Sequence, residues 1–156
     1  MIKPALGNLA PAIFLLFFFS CYNTQHFSKN ENTEIIEFEK TGCLGKCKIY
    51  KIYVSRNGYA TYEGIANVSK TGKYFRKLKK GENENFWKII NKDSLLKMNE
   101  AYNYGAEDTQ QHFLRYFSGE KLIKAIRFGP FPPDNLKQID SALEAISEKR
   151  GWKISK

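Results

Sequence analysis

The chain has 156 residues, 42% of them hydrophobic and 15% aromatic, which bounds it to about one domain with enough material for a packed core. Its formal charge of +9 points to an anionic neighbour (nucleic acid, lipid headgroups or acidic glycans), and the compartment has to choose among them. Of the 3 Cys and 2 His, only Cys43, Cys47 and His112 lie within residues 35–152, one ligand short of a closed zinc site, and no metal or cofactor is expected.

The first element is an apolar run, Ala12 to Phe19, that stops at Ser20-Cys21. A membrane-spanning helix needs about 20 apolar residues, whereas an export signal uses a core of roughly 7–15 behind a positive start. Lys3 supplies that start. Residues 1–20 are therefore expected to be a signal peptide. Residues 21–34 run "CYNTQHFSKNENTE", polar and aperiodic, and read as a flexible tether reaching roughly 17–20 Å. His26 lies on it and is expected to be solvated. Residues 35–152 form the single domain.

In the domain, "TEIIEFEKT" alternates polar and apolar residues as a strand does. "KIYKIYVSRNGYATYEG" holds two Tyr/Ile/Val/Thr-rich runs around Asn57-Gly58, a dipeptide suited to a type I′ hairpin turn with positive φ at both central residues. "IANVSKTGKYFRKL" suggests a second hairpin near Thr71-Gly72. "ENENFWKIINK" changes period: Phe86, Ile89 and Ile90 share a helical face behind an acidic first turn, which predicts a helix over about 82–92. Residues 93–108 read as a helix end and loop. "QQHFLRYFSGEKLIKAIRFG" is a third hairpin turning at Ser118-Gly119. After "PFPPDNL", Leu136, Ile139, Leu143 and Ile146 mark one stripe of a last helix, 134–149, starting at Pro133 or Asp134 and ended by Gly151. The order predicts an α+β domain, an antiparallel sheet of hairpins with two helices packed on it.

Cys43 and Cys47 fall in "TGCLGKCKIY". In an oxidising compartment, and if Cys21 is engaged elsewhere, the remaining even pair is expected to form a structural disulfide. The chain-entropy model assigns about 2 kcal/mol to so small a loop. A redox-active pair, a metal pair and two inert thiols are the alternatives. The spacing is one residue longer than Cys-x-x-Cys, and a strand pattern follows instead of a helix start.

No Gly-x-Ser-x-Gly elbow, phosphate loop or His-Glu-x-x-His is present. A Ser-His-Asp set would have to use His112, with Asp108 four residues before it, and an acid/base pair would have to draw on Glu100, Glu107 and Asp108. A sheet position for His112 and a solvated loop for the acids are the expected readings. The strongest surface feature is "KTGKYFRKLKKG", which carries Lys70, Lys73, Arg76, Lys77, Lys79 and Lys80 with Tyr74 and Phe75 between them. This is a candidate anion-binding stretch for lipid headgroups or an envelope polymer, or else a solvated hairpin edge kept from aggregating by its lysines. Export argues against nucleic acid.

Two resemblances add to these readings. "FFFSC" resembles the bacterial lipoprotein box, with Ser20 as the small residue and Cys21 as the acylated one. Phe18 departs from the usual Leu. The resemblance implies a membrane-held protein of the cell envelope, facing the periplasm, with no charge run after Cys21 to direct it elsewhere. Residues 35–146 resemble a bacterial family known as domain of unknown function 6438, found in secreted proteins and lipoproteins. Thr41, Gly42, Cys43, Gly45, Cys47 and Tyr50 match its opening motif; Gly58, Tyr62, Gly64, Thr71-Gly72-Lys73 and Asp108-Thr109 match later ones. Lys48 stands where the family has Pro. The family implies fold and compartment and brings no activity. The expectation is a non-enzymatic, lipid-anchored binding or structural module, with a thiol-redox protein using Cys43/Cys47, or a binder of an anionic polymer or lipid through residues 70–80, as alternatives.

Overall fold

The computed structural model describes residues 33–103 and 108–155; Cys21, His26 and Glu107 lie outside them. Eight strands form one sheet in the order β5-β7-β6-β1-β2-β3-β4-β8. They are β1 (Glu34–Lys40), β2 (Ile49–Ser55), β3 (Tyr59–Ala66), β4 (Gly72–Lys77), β5 (Ala101–Tyr102), β6 (His112–Ser118), β7 (Lys121–Phe128) and β8 (Lys153–Ile154). Every pairing is antiparallel except β5 with β7. Helices α1 (Lys80–Ile89) and α3 (Asp134–Glu148), with the short α2 (Lys92–Lys97), complete the α+β fold.

The alternation in the strands decides which face the helices cover. Ile36 and Phe38 of β1, Tyr50, Ile52 and Val54 of β2, Ala60 and Tyr62 of β3, and Leu114 and Tyr116 of β6 share one phase. They form the core with Phe86, Trp87 and Ile90, with Leu95 and Met98, and with the α3 stripe Leu136, Ile139, Leu143 and Ile146. The opposite phase carries a polar ladder in which Arg115 reaches Glu37 at 2.5 Å and Glu39 at 3.3 Å, and Lys51 reaches Glu39 at 3.3 Å.

Three local expectations are corrected. The first helix is not one segment over 82–92. It ends at Ile89, and the side chain of Asn91 accepts from the backbone N–H of Ser94 at 3.0 Å, capping a new helix where a loop is predicted. Within α1, Ile89 is 40% exposed and Trp87, at 8%, is the buried partner of Phe86. The Asn57-Gly58 turn is not type I′. Only Gly58 has positive φ (84°), its N–H donates to Ser55 O at 2.8 Å, and the loop spans Arg56 to Gly58. A three-residue loop of this kind needs a single left-handed residue, and Gly takes it without strain.

The antiparallel ladder gives the domain two ends. One, the base, collects Glu34, the β2–β3 turn, Lys77 and the β6–β7 turn. The other, the distal end, collects the β1–β2 loop, the β3–β4 loop, His112 and Phe128. Helix α1 follows the base, where Asn83 Nδ2 donates to Arg56 O at 2.9 Å. Helix α3 follows the distal end, touching Lys40, Lys48 and Lys70 in turn.

Candidate functional site

At the distal end Cys43 and Cys47 form a disulfide across the β1–β2 loop, with Cα atoms 5.8 Å apart. Reversing the chain within so few residues uses Gly45 at φ 146°. Neighbouring chain also holds the loop. Thr41 N–H donates to Gln111 O at 3.0 Å, and Leu44 N–H to Asp108 O at 3.3 Å. Gln110 Nε2 donates to Thr41 O and Lys48 O at 2.8 and 2.7 Å. Asn67 Nδ2 donates to Cys47 O at 2.9 Å. The disulfide is therefore one of several braces on a half-buried loop, and it leaves Leu44 82% exposed at the tip.

Beneath the loop lies a charge cluster of which the sequence analysis considers only His112. Lys40 continues the phase of Ile36 and Phe38, so its side chain points to the helix side, where Nζ meets Asp140 and Glu144, each at 2.8 Å. Lys48 pairs with Glu144 and Glu148, each at 2.9 Å. His112 Nδ1 sits 3.1 Å from Asp140 Oδ2, Nε2 sits 3.3 Å from Gln110 Oε1, and the ring packs edge-on against Phe38 and Phe128. Burial pushes the Asp140 carboxyl upward, but the hydrogen bonds from His112 and Lys40 outweigh it and hold the group below its ordinary value. Hydrogen bonds from Lys40 and then Lys48 do the same to Glu144, and Lys48 is in turn held above the ordinary lysine value by Glu144 and Glu148. Burial raises the Tyr50 hydroxyl, which lies near the same carboxylates.

This arrangement ties strands to a helix. The partner of His112 is Asp140 on α3; Asp108 instead contributes a backbone carbonyl to the cysteine loop. Each charge is answered by an opposite one, and both His112 nitrogens face side chains of the cluster. Glu100, the other acid considered for acid/base work, meets Arg127 N–H through its backbone carbonyl at 2.8 Å. Two signals could have pointed to the cluster: Lys40 and His112 fall in the apolar phase of their strands, and Asp140 and Glu144 sit four apart beside the α3 stripe.

The basic stretch is divided by strand phase. Arg76 faces the helices, 8% exposed, and its guanidinium is 2.6 Å from Glu82 and stacked over Trp152. Lys70 turns inward to donate to Ser147 O at 2.5 Å, and burial lowers its ammonium below the ordinary value. Lys73 lies 3.8 Å from Glu63. Only Lys77, Lys79 and Lys80 reach the base as exposed cations, Lys77 over the Tyr59 ring at 3.7 Å. There they join Arg56 and Lys121, which sequence reading did not include because they come from other hairpins. Lys79, Lys80 and Lys121 make no ion pair among the described residues.

Among the described residues no helix is long and apolar enough to cross a membrane. A comparison with curated proteins finds no match for the chain. The model of the family described as Domain of unknown function (DUF6438) matches residues 34–147, from the first residue of β1 to the last turn of α3. With that match spanning most of its length, the chain belongs to the DUF6438 family.

Proposed function

We propose that the chain is a lipid-anchored module of the bacterial cell envelope, non-enzymatic and binding or structural in role, held through Cys21 with its base toward the membrane. The observation that carries this reading is the position of the entering chain. Gly119 N–H donates to Thr33 O at 3.0 Å and Arg56 N–H to Glu34 O at 2.8 Å, so the polar segment after Cys21 joins the domain at the end where Arg56, Lys77, Lys79, Lys80 and Lys121 are gathered. A tether of that length leaves the base within a Debye length or two of a membrane. Each cation near an anionic surface contributes about 1 kcal/mol. Acyl chains supply hydrophobic anchoring, and the two together make stable attachment. The anion-binding role is thereby narrowed to the part of the basic stretch that reaches the base.

Fractionation tests the anchor. Wild-type protein is expected in the membrane fraction and Cys21→Ser protein in the soluble envelope fraction. A Cys21→Ser protein that stays wholly with membrane would overturn the reading.

A further inference from the structure

The α1 side of the base holds a groove whose polar chemistry is unmet. Asn83, Glu84, Trp87 and Lys88 line it from α1 and Arg56 lines it from the β2–β3 turn, around a volume of about 220 Å³. It adjoins a second groove of about 420 Å³ that shares Arg56, Trp87 and Lys88 and extends to Lys92 and Tyr116. Two of the lining residues each carry a buried atom with no hydrogen-bond partner among the described residues: the indole nitrogen of Trp87 and the side-chain oxygen of Asn83. The first can only donate and the second can only accept. The Asn83 amide is oriented by its Nδ2, which donates to Arg56 O at 2.9 Å. Buried groups left this way cost free energy that a ligand reaching them returns. Their cover is movable. Arg56 lies over the indole with Cζ 5.0 Å from the ring centroid, is about half exposed, and meets its nearest carboxylate, Glu34, only at 3.8 Å.

We infer that this groove binds a compact zwitterion, an oxyanion and an ammonium group joined by a short linker. Arg56 and Lys88 supply two cations for the oxyanion, and the Trp87 indole N–H supplies an oriented donor. Glu84 and Asn83 Oδ1 supply a carboxylate and an acceptor for the ammonium group. A groove for a simple anion has no use for the last two. Water at these atoms would satisfy them but would show no preference for charge. The same chemistry occurs in free small zwitterions and in lipid headgroups of the phosphoethanolamine type, and the site's position on the base makes both reachable. The groove does not depend on the anchor, because its residues are all in the folded domain.

The test uses the full-length chain in neutral detergent with ¹⁵N-labelled tryptophan. Its 2 Trp give two indole N–H resonances, assigned with Trp152→Phe. Phosphoethanolamine is expected to move the Trp87 resonance to saturation and leave Trp152 in place. Inorganic phosphate alone and ethanolamine alone should each bind about tenfold more weakly or worse, and Arg56→Gln and Glu84→Gln should each weaken binding about tenfold, a loss of about 1.4 kcal/mol. Micelles doped with phosphatidylethanolamine separate the sources. A Trp87 shift there assigns the headgroup, and a shift with the free compound only assigns a soluble ligand. A Trp87 resonance that moves in neither arm, moves together with Trp152, or responds equally to inorganic phosphate overturns the proposal.

Discussion

The two ends of the sheet use the same residue type in opposite ways. At the distal end Lys40 and Lys48 are locked to Asp140, Glu144 and Glu148, and the charges act as an internal brace. At the base Lys79, Lys80 and Lys121 stand exposed with no ion pair among the described residues, and their charge is available to an outside partner. The difference is made by solvent and partners. A charge taken from water must be answered inside the protein, whereas one left in water costs nothing to leave unanswered. A run of basic residues is therefore not a site until strand phase has sorted its members. Of the six cations from Lys70 to Lys80, Lys70 goes to the distal brace region, Lys73 to Glu63 on the neighbouring strand, Arg76 to the core side, and Lys77, Lys79 and Lys80 to the base.

The contrast is sharpened most strongly by breaking the brace. Lys40→Ala takes the buried cation from two carboxylates that keep only His112 and Lys48 and is expected to lower stability by about 3 kcal/mol. Lys79→Ala should stay within about 0.5 kcal/mol of wild type. Urea unfolding of both variants measures the gap, and equal midpoints would erase the distinction between the ends. The next effect lies at the base. Replacing Lys77, Lys79 and Lys80 with Gln should weaken partition to anionic vesicles by about 3 kcal/mol, roughly a hundredfold, at low salt and progressively less as salt rises. The reverse variant at the distal end, Lys48→Gln, should leave partition unchanged.

Reducing the disulfide ranks third. Opening Cys43–Cys47 is expected to cost about 2 kcal/mol while the backbone bonds to Gln111 and Asp108 keep the loop in place. Denaturation with and without reductant, followed by circular dichroism, checks this. Loss of the native spectrum on reduction would make the disulfide the principal brace. A bridge that opens at a mild potential in the glutathione range would favour a redox role for the pair.

The smallest predicted effect is in acid. Asp140 and Glu144 have folded-state values below their ordinary 3.8 and 4.5, so the unfolded chain binds protons more readily. Their stabilisation is fully present above the unfolded values and is lost as pH falls through the folded ones. Stability should therefore drop below about pH 4, and Asp140→Asn should flatten part of that limb. A pH profile identical in the variant would show that the cluster does not contribute to acid unfolding.

Much of the fold was readable in particular residues. The Ile36/Phe38 phase, the three hairpins and the Leu136–Ile146 stripe are local patterns, and each survives in the structure because burying one face satisfies it. The break between α1 and α2 is not legible in the sequence, since Asn91 suits a loop as well as a helix start. Arg76, expected on the surface with its basic neighbours, carries its charge in the buried phase of β4, where Glu82, six residues on, answers it. His112 had Asp108 as its sequence neighbour, but Asp140, 28 residues away, is its partner.

The sequence by itself determined the six long strands, the last helix, the sheet's buried phase, the spacing that lets Cys43 meet Cys47, and the resemblance to its family. These depend on periodicity and short-range geometry, which few residues can set. Tertiary structure decided which charges are braces and which are surface, how α1 and Arg56 enclose a groove, and that the entering chain shares an end with the exposed cations. Those outcomes depend on which distant segments pack together and which of them exclude water, and no short stretch of sequence carries that information.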